Sequence, residues 1–165
     1  MNYLKITHPD INNGLGFRVT LWIAGCSHHC PGCHNSWTWD YNQGKPLSEC
    51  REELFSALSS DFIKGLTLSG GDPLSQSEEN LVELKKLIEE VKERFPEKDI
   101  WIFAGDKLEE VNEVKAKKDI IDLCDYFVDG TFRRNEKDLS LAFRGSRNQR
   151  IWKQEQREWK EVHFD

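Results

Sequence analysis

The hydrophobic pattern of the chain begins with short, nearly continuous apolar runs separated by longer amphipathic stretches. Runs of this kind predict strands that are buried on both faces of a parallel sheet. Four strands are predicted, over residues 17–24, 65–69, 99–104 and 126–128. The apolar triplet Leu141–Phe143 is a candidate fifth strand. Residues 1–16 form a leading segment that ends in a turn, and residues 151–165 are assigned no element.

Between the predicted strands, apolar residues stand three and four positions apart, which is the spacing of one helix face. The clearest series is Leu81, Leu84, Ile88 and Val91. Ser75 and Glu78 predict a capping box at the start of this helix. Shorter helices are predicted over residues 48–60, with Ser48 as the N-cap, and over residues 108–114.

Strand, loop and helix therefore recur along the chain, and this order predicts an α/β fold with mainly parallel strands. A complete eight-stranded βα barrel usually needs more residues than the 165 present here. The pattern instead favours a single domain over residues 1–165, folded as a shortened, open partial βα barrel.

Residues capable of chemistry follow each predicted strand directly. Gly25–Cys33 comes after the first strand, and Gly70-Gly71-Asp72-Pro73 after the second. Gly105-Asp106 follows the third strand and Asp129-Gly130 follows the fourth. Because ligands of α/β sheets and barrels bind at the carboxyl ends of the strands, we expect these loops to form one site.

Three thiols in one loop are the strongest chemical signal in the chain. Cys26, Cys30 and Cys33 have the spacing C-x3-C-x2-C. Thiolates suit iron–sulfur clusters, Zn or Cu(I), and three of them would leave one iron of a four-iron cluster open to another ligand. A Zn site, completed by His28, His29 or His34, is the alternative that the spacing leaves open.

The other two cysteines, Cys50 and Cys124, are isolated in the sequence. Each is predicted to be a small buried or half-buried residue rather than a ligand. A disulfide framework is disfavoured, because an odd number of thiols in one loop fits it badly.

Composition limits the classes of partner and the compartment. The chain has 23 basic and 29 acidic residues, and this net charge of −6 argues against a protein that binds the nucleic-acid backbone. No apolar run approaches the length of a membrane span, and the first residues lack the apolar core of a signal peptide. A cytoplasmic location is therefore expected, where thiols stay reduced.

The cysteine loop also carries a family resemblance. Its spacing resembles the signature of the radical S-adenosylmethionine (SAM) superfamily, and the longer stretch Gly25–Trp39 resembles the activating proteins of anaerobic ribonucleoside-triphosphate reductase. The Gly70–Pro73 stretch resembles the Gly-Gly-Glu-Pro segment of the superfamily, with Asp72 in place of Glu. Arg144–Arg150 resembles the Arg-Gly-Ser-x-Asn-Gln-Arg segment of the activating proteins.

The resemblance implies a complete set of cofactors and ligands. Cys26, Cys30 and Cys33 are expected to hold a [4Fe-4S] cluster, with SAM bound to the fourth iron. Contacts to SAM are expected at Gly32, Cys33, His34, Gly70, Gly71 and Asp72. Gly32 replaces an aromatic residue that many superfamily members carry, and His34 stands where the activating proteins often have Tyr. The adenine contact is therefore expected from the backbone near these two residues.

The resemblance also implies a reaction. The reduced cluster would cleave SAM to methionine and a 5′-deoxyadenosyl radical, which would take a hydrogen atom from a glycine of the reductase. An electron donor such as flavodoxin is expected as a second partner. The alternatives are activation of another glycyl-radical enzyme, such as pyruvate formate-lyase, and a non-catalytic Zn-binding interaction module. For Arg144, Arg147 and Arg150, a solvated cationic face and a contact with the reductase or the SAM carboxylate both remain open.

Overall fold

The computed structural model describes all residues, 1–165, and all of its strands belong to one open sheet. The strands are β1 (Asn2–Asp10), β2 (Arg18–Ile23), β3 (Lys45–Pro46), β4 (Gly65–Gly70), β5 (Asp99–Phe103), β6 (Tyr126–Asp129), β7 (Arg150–Glu155) and β8 (Glu158–Val162). The helices are α1 (Arg51–Leu58), α2 (Glu78–Arg94), α3 (Leu108–Asn112) and α4 (Lys115–Ile121). Short 3-10 turns lie at Ser36–Thr38, Leu47–Cys50 and Arg134–Glu136.

The sheet is parallel only at its centre. Its order is β3-β1-β2-β4-β5-β6-β7-β8, and β2, β4, β5 and β6 pair in parallel. The outer strands pair antiparallel on both sides. The prediction of a mainly parallel sheet is therefore corrected to a mixed sheet. The four predicted parallel strands are confirmed, and the antiparallel edges come from the segments to which the sequence pattern assigned no strand.

The helices cover one face of this sheet. Alternate residues of the central strands, such as Leu21, Leu66 and Ile100, pack with the helices in a cluster of 28 buried apolar residues. Because side chains alternate across a strand, the residues between them face the other side. Cys50 and Cys124 lie in the apolar cluster and are both buried, as predicted.

The opposite face is buried beneath a polar network and aromatic rings. Arg18 is fully buried there, where its guanidinium group pairs with Asp99 at 2.6 Å and donates to Thr67 Oγ1 at 2.7 Å. Thr67 Oγ1 in turn donates to the Asn13 carbonyl oxygen at 2.7 Å. Trp101 stacks on Tyr126 with 4.3 Å between ring centroids. Arg18 and the segment 11–17 thus close this face at the amino ends of the parallel strands.

Several predicted boundaries are corrected by the structure. The helix predicted from Ser48 begins as a 3-10 turn, and α1 itself starts at Arg51. The N-cap of α2 is Ser77 rather than Ser75, and the Ser77 hydroxyl accepts a hydrogen bond from the Asn80 backbone at 3.2 Å. The short helix predicted over residues 108–114 corresponds to α3, and α4, which follows it, was not predicted.

The two ends of the chain differ most from the sequence pattern. The leading segment contains β1, and the tail forms the hairpin of β7 and β8. Gln156 and Arg157, the two residues that join this hairpin, both have positive φ angles, as a tight two-residue hairpin turn requires. The triplet Leu141–Phe143 is not a strand; Phe143 packs edge-to-face on Trp101 instead. No helix of the chain is long and apolar enough to span a bilayer.

Candidate active site

The loops after the four parallel strands surround one cavity of about 370 Å³. Its lining includes most of the residues expected to bind cofactors: Cys26, Cys30, Cys33, His34, Gly70, Gly71 and Asp72. Gly105 and Gly130, which follow β5 and β6, line the same cavity. Gly32 is the one residue of the expected set that does not line it. The structure therefore brings residues from four separate loops to one rim.

The cysteine loop is fixed mainly through its backbone. The Gly25 and Cys26 amides donate to the carbonyl oxygens of Thr38 and Trp39 at 2.7 and 3.2 Å. All three thiols are free; Cys26 is buried, whereas Cys30 and Cys33 are partly exposed. Burial raises the pKa of Cys26 to about 11 and also raises the pKa of Cys30. These thiols are therefore protonated at neutral pH until a metal displaces the protons.

The arrangement of donors fits a cluster. No three Cys, His, Asp or Glu side chains converge closely enough to hold a single metal ion. The three thiols instead line a shared cavity, and in an iron–sulfur cluster each thiolate binds a different iron. His29, one of the alternative Zn ligands, stacks on Trp39 with 4.4 Å between ring centroids and does not line the cavity.

Asp72 joins the cysteine loop to two other loops. Its Oδ1 accepts a hydrogen bond from Leu74 N at 2.9 Å, and its Oδ2 accepts one from Gly105 N at 2.9 Å. His28, which lies between Cys26 and Cys30 in the sequence, places its Nε2 3.0 Å from the same Oδ2. This hydrogen bond is the main cause of a raised pKa for His28.

The double glycine allows two backbones to approach closely. A Cβ added at Gly71 would lie 2.3 Å from the carbonyl oxygen of Gly25, and one added at Gly70 would lie 2.4 Å from that of Ile23. Asp72 N also donates to Gly25 O at 2.8 Å. A side chain at Gly71 would consequently push against the residue that precedes Cys26.

Comparison with known proteins identifies the family. Residues 12–152 match the family described as a 4Fe-4S single cluster domain. The chain is 43% identical over 152 residues to the anaerobic ribonucleoside-triphosphate reductase-activating protein of Escherichia coli strain K12, covering 90% of this chain and 96% of that protein. The activating protein of enterobacteria phage T4 is 42% identical over 161 residues, with 97% and 99% covered.

The chain belongs to this family of activating proteins. The recognition made from the cysteine loop, the double glycine and the arginine segment is therefore confirmed. Membership also makes the chain a 4Fe-4S protein of the radical SAM type.

The arginine segment that resembles the activating-protein family mainly braces the fold. The Arg144 guanidinium pairs with Asp165 at 2.5 Å. Arg150 pairs with the buried Asp129 at 2.6 Å and with Glu109 at 2.8 Å. These pairs give Arg144 and Arg150 a bracing role, which neither earlier interpretation included. Arg144 also lines the cavity, so its contact with the SAM carboxylate stays a prediction. Arg147 alone is exposed and has no carboxylate partner within 4.0 Å.

Several residues that line the cavity were not predicted from the sequence to do so. Asn12 and Asn13 line the cavity from the segment that was interpreted as a turn. Asp10 orients both of them, because it accepts hydrogen bonds from Asn12 N at 2.8 Å and from Asn13 Nδ2 at 2.7 Å. His28 was considered only as a Zn ligand, and no local pattern pairs it with Asp72. These contacts depend on how the strands are ordered in the sheet, which the activating-protein motifs do not encode.

Proposed function

We propose that this chain activates an anaerobic ribonucleoside-triphosphate reductase by generating a glycyl radical on it. Cys26, Cys30 and Cys33 would hold a 4Fe-4S cluster, and SAM would bind beside it in the same cavity. The observation that carries this proposal is the shared cavity, where the three free thiols meet the loops of four parallel strands. The family relatives, named as activators of that reductase, support it.

When both are bound, the cluster and SAM supply the one-electron chemistry that yields a 5′-deoxyadenosyl radical. The protein would hold the ligands and limit side reactions. We assign SAM contacts to Gly70, Gly71 and Asp72 on one side, and to the backbone of residues 32–34 on the other. Through its hydrogen bonds to His28 and Gly105, Asp72 would hold these two sides at a fixed separation.

The shape of the sheet suits a protein substrate. The central strands of an open sheet do not close around the cavity, so a polypeptide loop of the reductase can reach its mouth. We interpret the fold as a shortened radical SAM barrel, in which the missing strands leave space for that loop. A reducing compartment such as the cytoplasm suits the five free thiols, and an external electron donor such as flavodoxin would complete the system.

The first experiment is anaerobic reconstitution with iron and sulfide, followed by incubation with SAM and a chemical reductant. We expect brown protein with about four irons per chain and formation of 5′-deoxyadenosine. Cys26→Ala, Cys30→Ala and Cys33→Ala should each abolish cleavage, whereas Cys50→Ala and Cys124→Ala should retain it. Colourless protein with one bound Zn would instead identify an interaction module.

A second measurement identifies the target. The activated mixture is examined by electron paramagnetic resonance after addition of either the reductase or pyruvate formate-lyase. A glycyl radical on the reductase alone is expected. A radical on pyruvate formate-lyase alone would replace the proposed substrate while leaving the SAM chemistry intact.

A further inference from the structure

A positively charged segment follows β6 in this acidic chain. Residues 131–150 contain six basic and two acidic residues, although the whole chain has a net charge of −6. The exposed cations of this segment are Arg133, Arg134, Lys137 and Arg147, which we call the basic patch. Arg133 pairs with Glu136 at 3.1 Å, whereas the other three have no carboxylate within 4.0 Å. The patch therefore presents excess positive charge to solvent.

Backbone contacts make the basic patch one continuous surface. Lys137 forms an isolated antiparallel bridge with Ser146. Arg147 N donates to the carbonyl oxygen of Glu136 at 2.9 Å. Together these contacts bring Arg147 beside the stretch that carries Arg133, Arg134 and Lys137.

The basic patch borders the outer side of the cysteine loop. A Cβ added at Gly32 would lie 2.7 Å from Arg134 Nε, so this side chain lies directly against the loop. The His34 ring lies 5.7 Å from the ring of Phe132. Cys30 and Cys33, on this side, are partly exposed, whereas Cys26 is buried.

The basic patch lies beside the cavity rather than inside it. None of its four residues is among those that line the cavity. They are therefore poorly placed to bind the carboxylate of SAM inside it. Their position instead suits a macromolecule that approaches the cysteine loop from outside the cavity, beside Gly32.

We propose that the basic patch docks a small acidic electron-carrier protein, which reduces the cluster through the Cys30–Cys33 edge. This inference rests on the proposed function. One electron leaves the reduced carrier and enters the oxidised cluster, so the carrier is oxidised and the cluster is reduced by one electron each. Because the rest of the chain repels an acidic partner, the patch would both attract and orient it.

The experiment compares two reductants on the reconstituted full chain. One is photoreduced 5-deazariboflavin, a small uncharged reductant, and the other is reduced flavodoxin, an acidic carrier protein. The variants are Lys137→Glu combined with Arg147→Glu, and Arg134→Gln alone. Lys86→Glu, a reversal of an exposed charge on α2, is the matched control. The rate of 5′-deoxyadenosine formation and the iron content are measured for each protein at low and high salt.

We expect the double variant to lose roughly tenfold or more of the flavodoxin-supported rate at low salt. The rate with 5-deazariboflavin and the iron content should stay within about twofold of the wild-type values. Lys86→Glu should match the wild type with both reductants. The wild-type rate with flavodoxin should fall as salt rises, because salt screens the attraction between exposed charges.

Three results would overturn the proposal. An unchanged flavodoxin rate in both patch variants would show that the carrier docks elsewhere. Equal losses with both reductants, or loss of iron, would make the patch a structural element. If the patch variants form 5′-deoxyadenosine at the normal rate but transfer the radical poorly to the reductase, the patch docks the reductase instead of the carrier. Wild-type protein that forms no 5′-deoxyadenosine with 5-deazariboflavin would instead refute the proposed function itself.

Discussion

At the scale of single residues, Asp72 connects more of the candidate site than any other side chain. It is 2% exposed, and its carboxylate accepts hydrogen bonds from its own loop, from Gly105 and from His28. From the sequence, Asp72 was expected as a contact to SAM, and that contact stays a prediction. The structure also gives it a role in holding the cysteine loop against the loops after β4 and β5.

Replacing Asp72 should therefore affect both stability and the cluster. In Asp72→Ala the buried amide of Leu74 and the partly buried amide of Gly105 lose their acceptor, at a cost of about 2–4 kcal/mol in the free energy of unfolding. Asp72→Asn retains one oxygen acceptor and should lose less. Urea unfolding and iron content after reconstitution are the measurements. A stable Asp72→Ala protein with full iron content would contradict the bridging role.

For Gly71→Val, the sequence and the structure lead to different expectations about the iron content. The sequence suggests that Gly71→Val blocks SAM and leaves the cluster intact. The structure indicates that a Cβ at Gly71 meets Gly25 O at 2.3 Å, so the cysteine loop must move. We expect Gly71→Val to lose iron as well as SAM binding, measured on the same sample. Normal iron content with weakened SAM binding would restore the simpler interpretation.

The sequence revealed the cysteines but not their neighbours, for a physical reason. Cys26, Cys30 and Cys33 are close in the chain, so their spacing alone predicts convergence. The contact of His28 with Asp72 arises only because β2 and β4 are adjacent in the sheet. Asn12 likewise reaches the cavity through a segment that folds back under the sheet. Such contacts depend on topology, which residue spacing does not contain.

At the scale of elements, long periodic or apolar segments were predictable and the outer antiparallel strands were not. The four parallel strands and α2 carry strong patterns, and the structure contains each of them. In contrast, the outer antiparallel strands β1, β7 and β8 are rich in polar residues, because these strands lie away from the centre of the sheet and are only partly buried. Leu141–Phe143 was apolar enough to resemble a strand, yet Phe143 packs on Trp101, on the face of the sheet opposite to the helices.

The ion pairs that link separate elements can be tested by replacing one arginine that forms them and one that does not. Arg150 links β7 to the buried Asp129 at the end of β6 and to Glu109 on α3. Arg150→Met leaves the Asp129 carboxylate without its cation and should cost about 2–4 kcal/mol in the free energy of unfolding. Arg147→Met removes an exposed arginine without an ion pair and should change that free energy by less than about 0.5 kcal/mol. Equal effects in urea unfolding would contradict the brace.

At the scale of the whole molecule, the core and the cavity lie on opposite faces of the sheet. The cluster of 28 buried apolar residues lies between the sheet and the helices, whereas the thiols lie at the strand ends on the cavity side. The apolar core is therefore complete without any metal. This arrangement differs from a small Zn module, whose folding depends on its ion.

Removal of the cluster should therefore leave the fold intact. After exposure to air, or treatment with a chelator and an oxidant, we expect visible absorbance and SAM cleavage to be lost. The far-ultraviolet circular dichroism should stay unchanged, and unfolding by urea should remain cooperative. A metal-free chain that is unfolded would show that the metal, and not the helix-covered core, determines the structure.

The buried Arg18 has a consequence for the order of events in a catalytic cycle. Together with the segment 11–17, it closes the cavity side of the sheet at the amino ends of the strands, so we expect molecules to enter the cavity through a mouth at the carboxyl ends. A molecule that binds deep inside must then arrive before anything that covers the mouth, and must leave after it. Under the proposed function, the small cofactor binds first and the reductase second. Methionine and 5′-deoxyadenosine would then depart after the reductase has withdrawn, and turnover would be ordered.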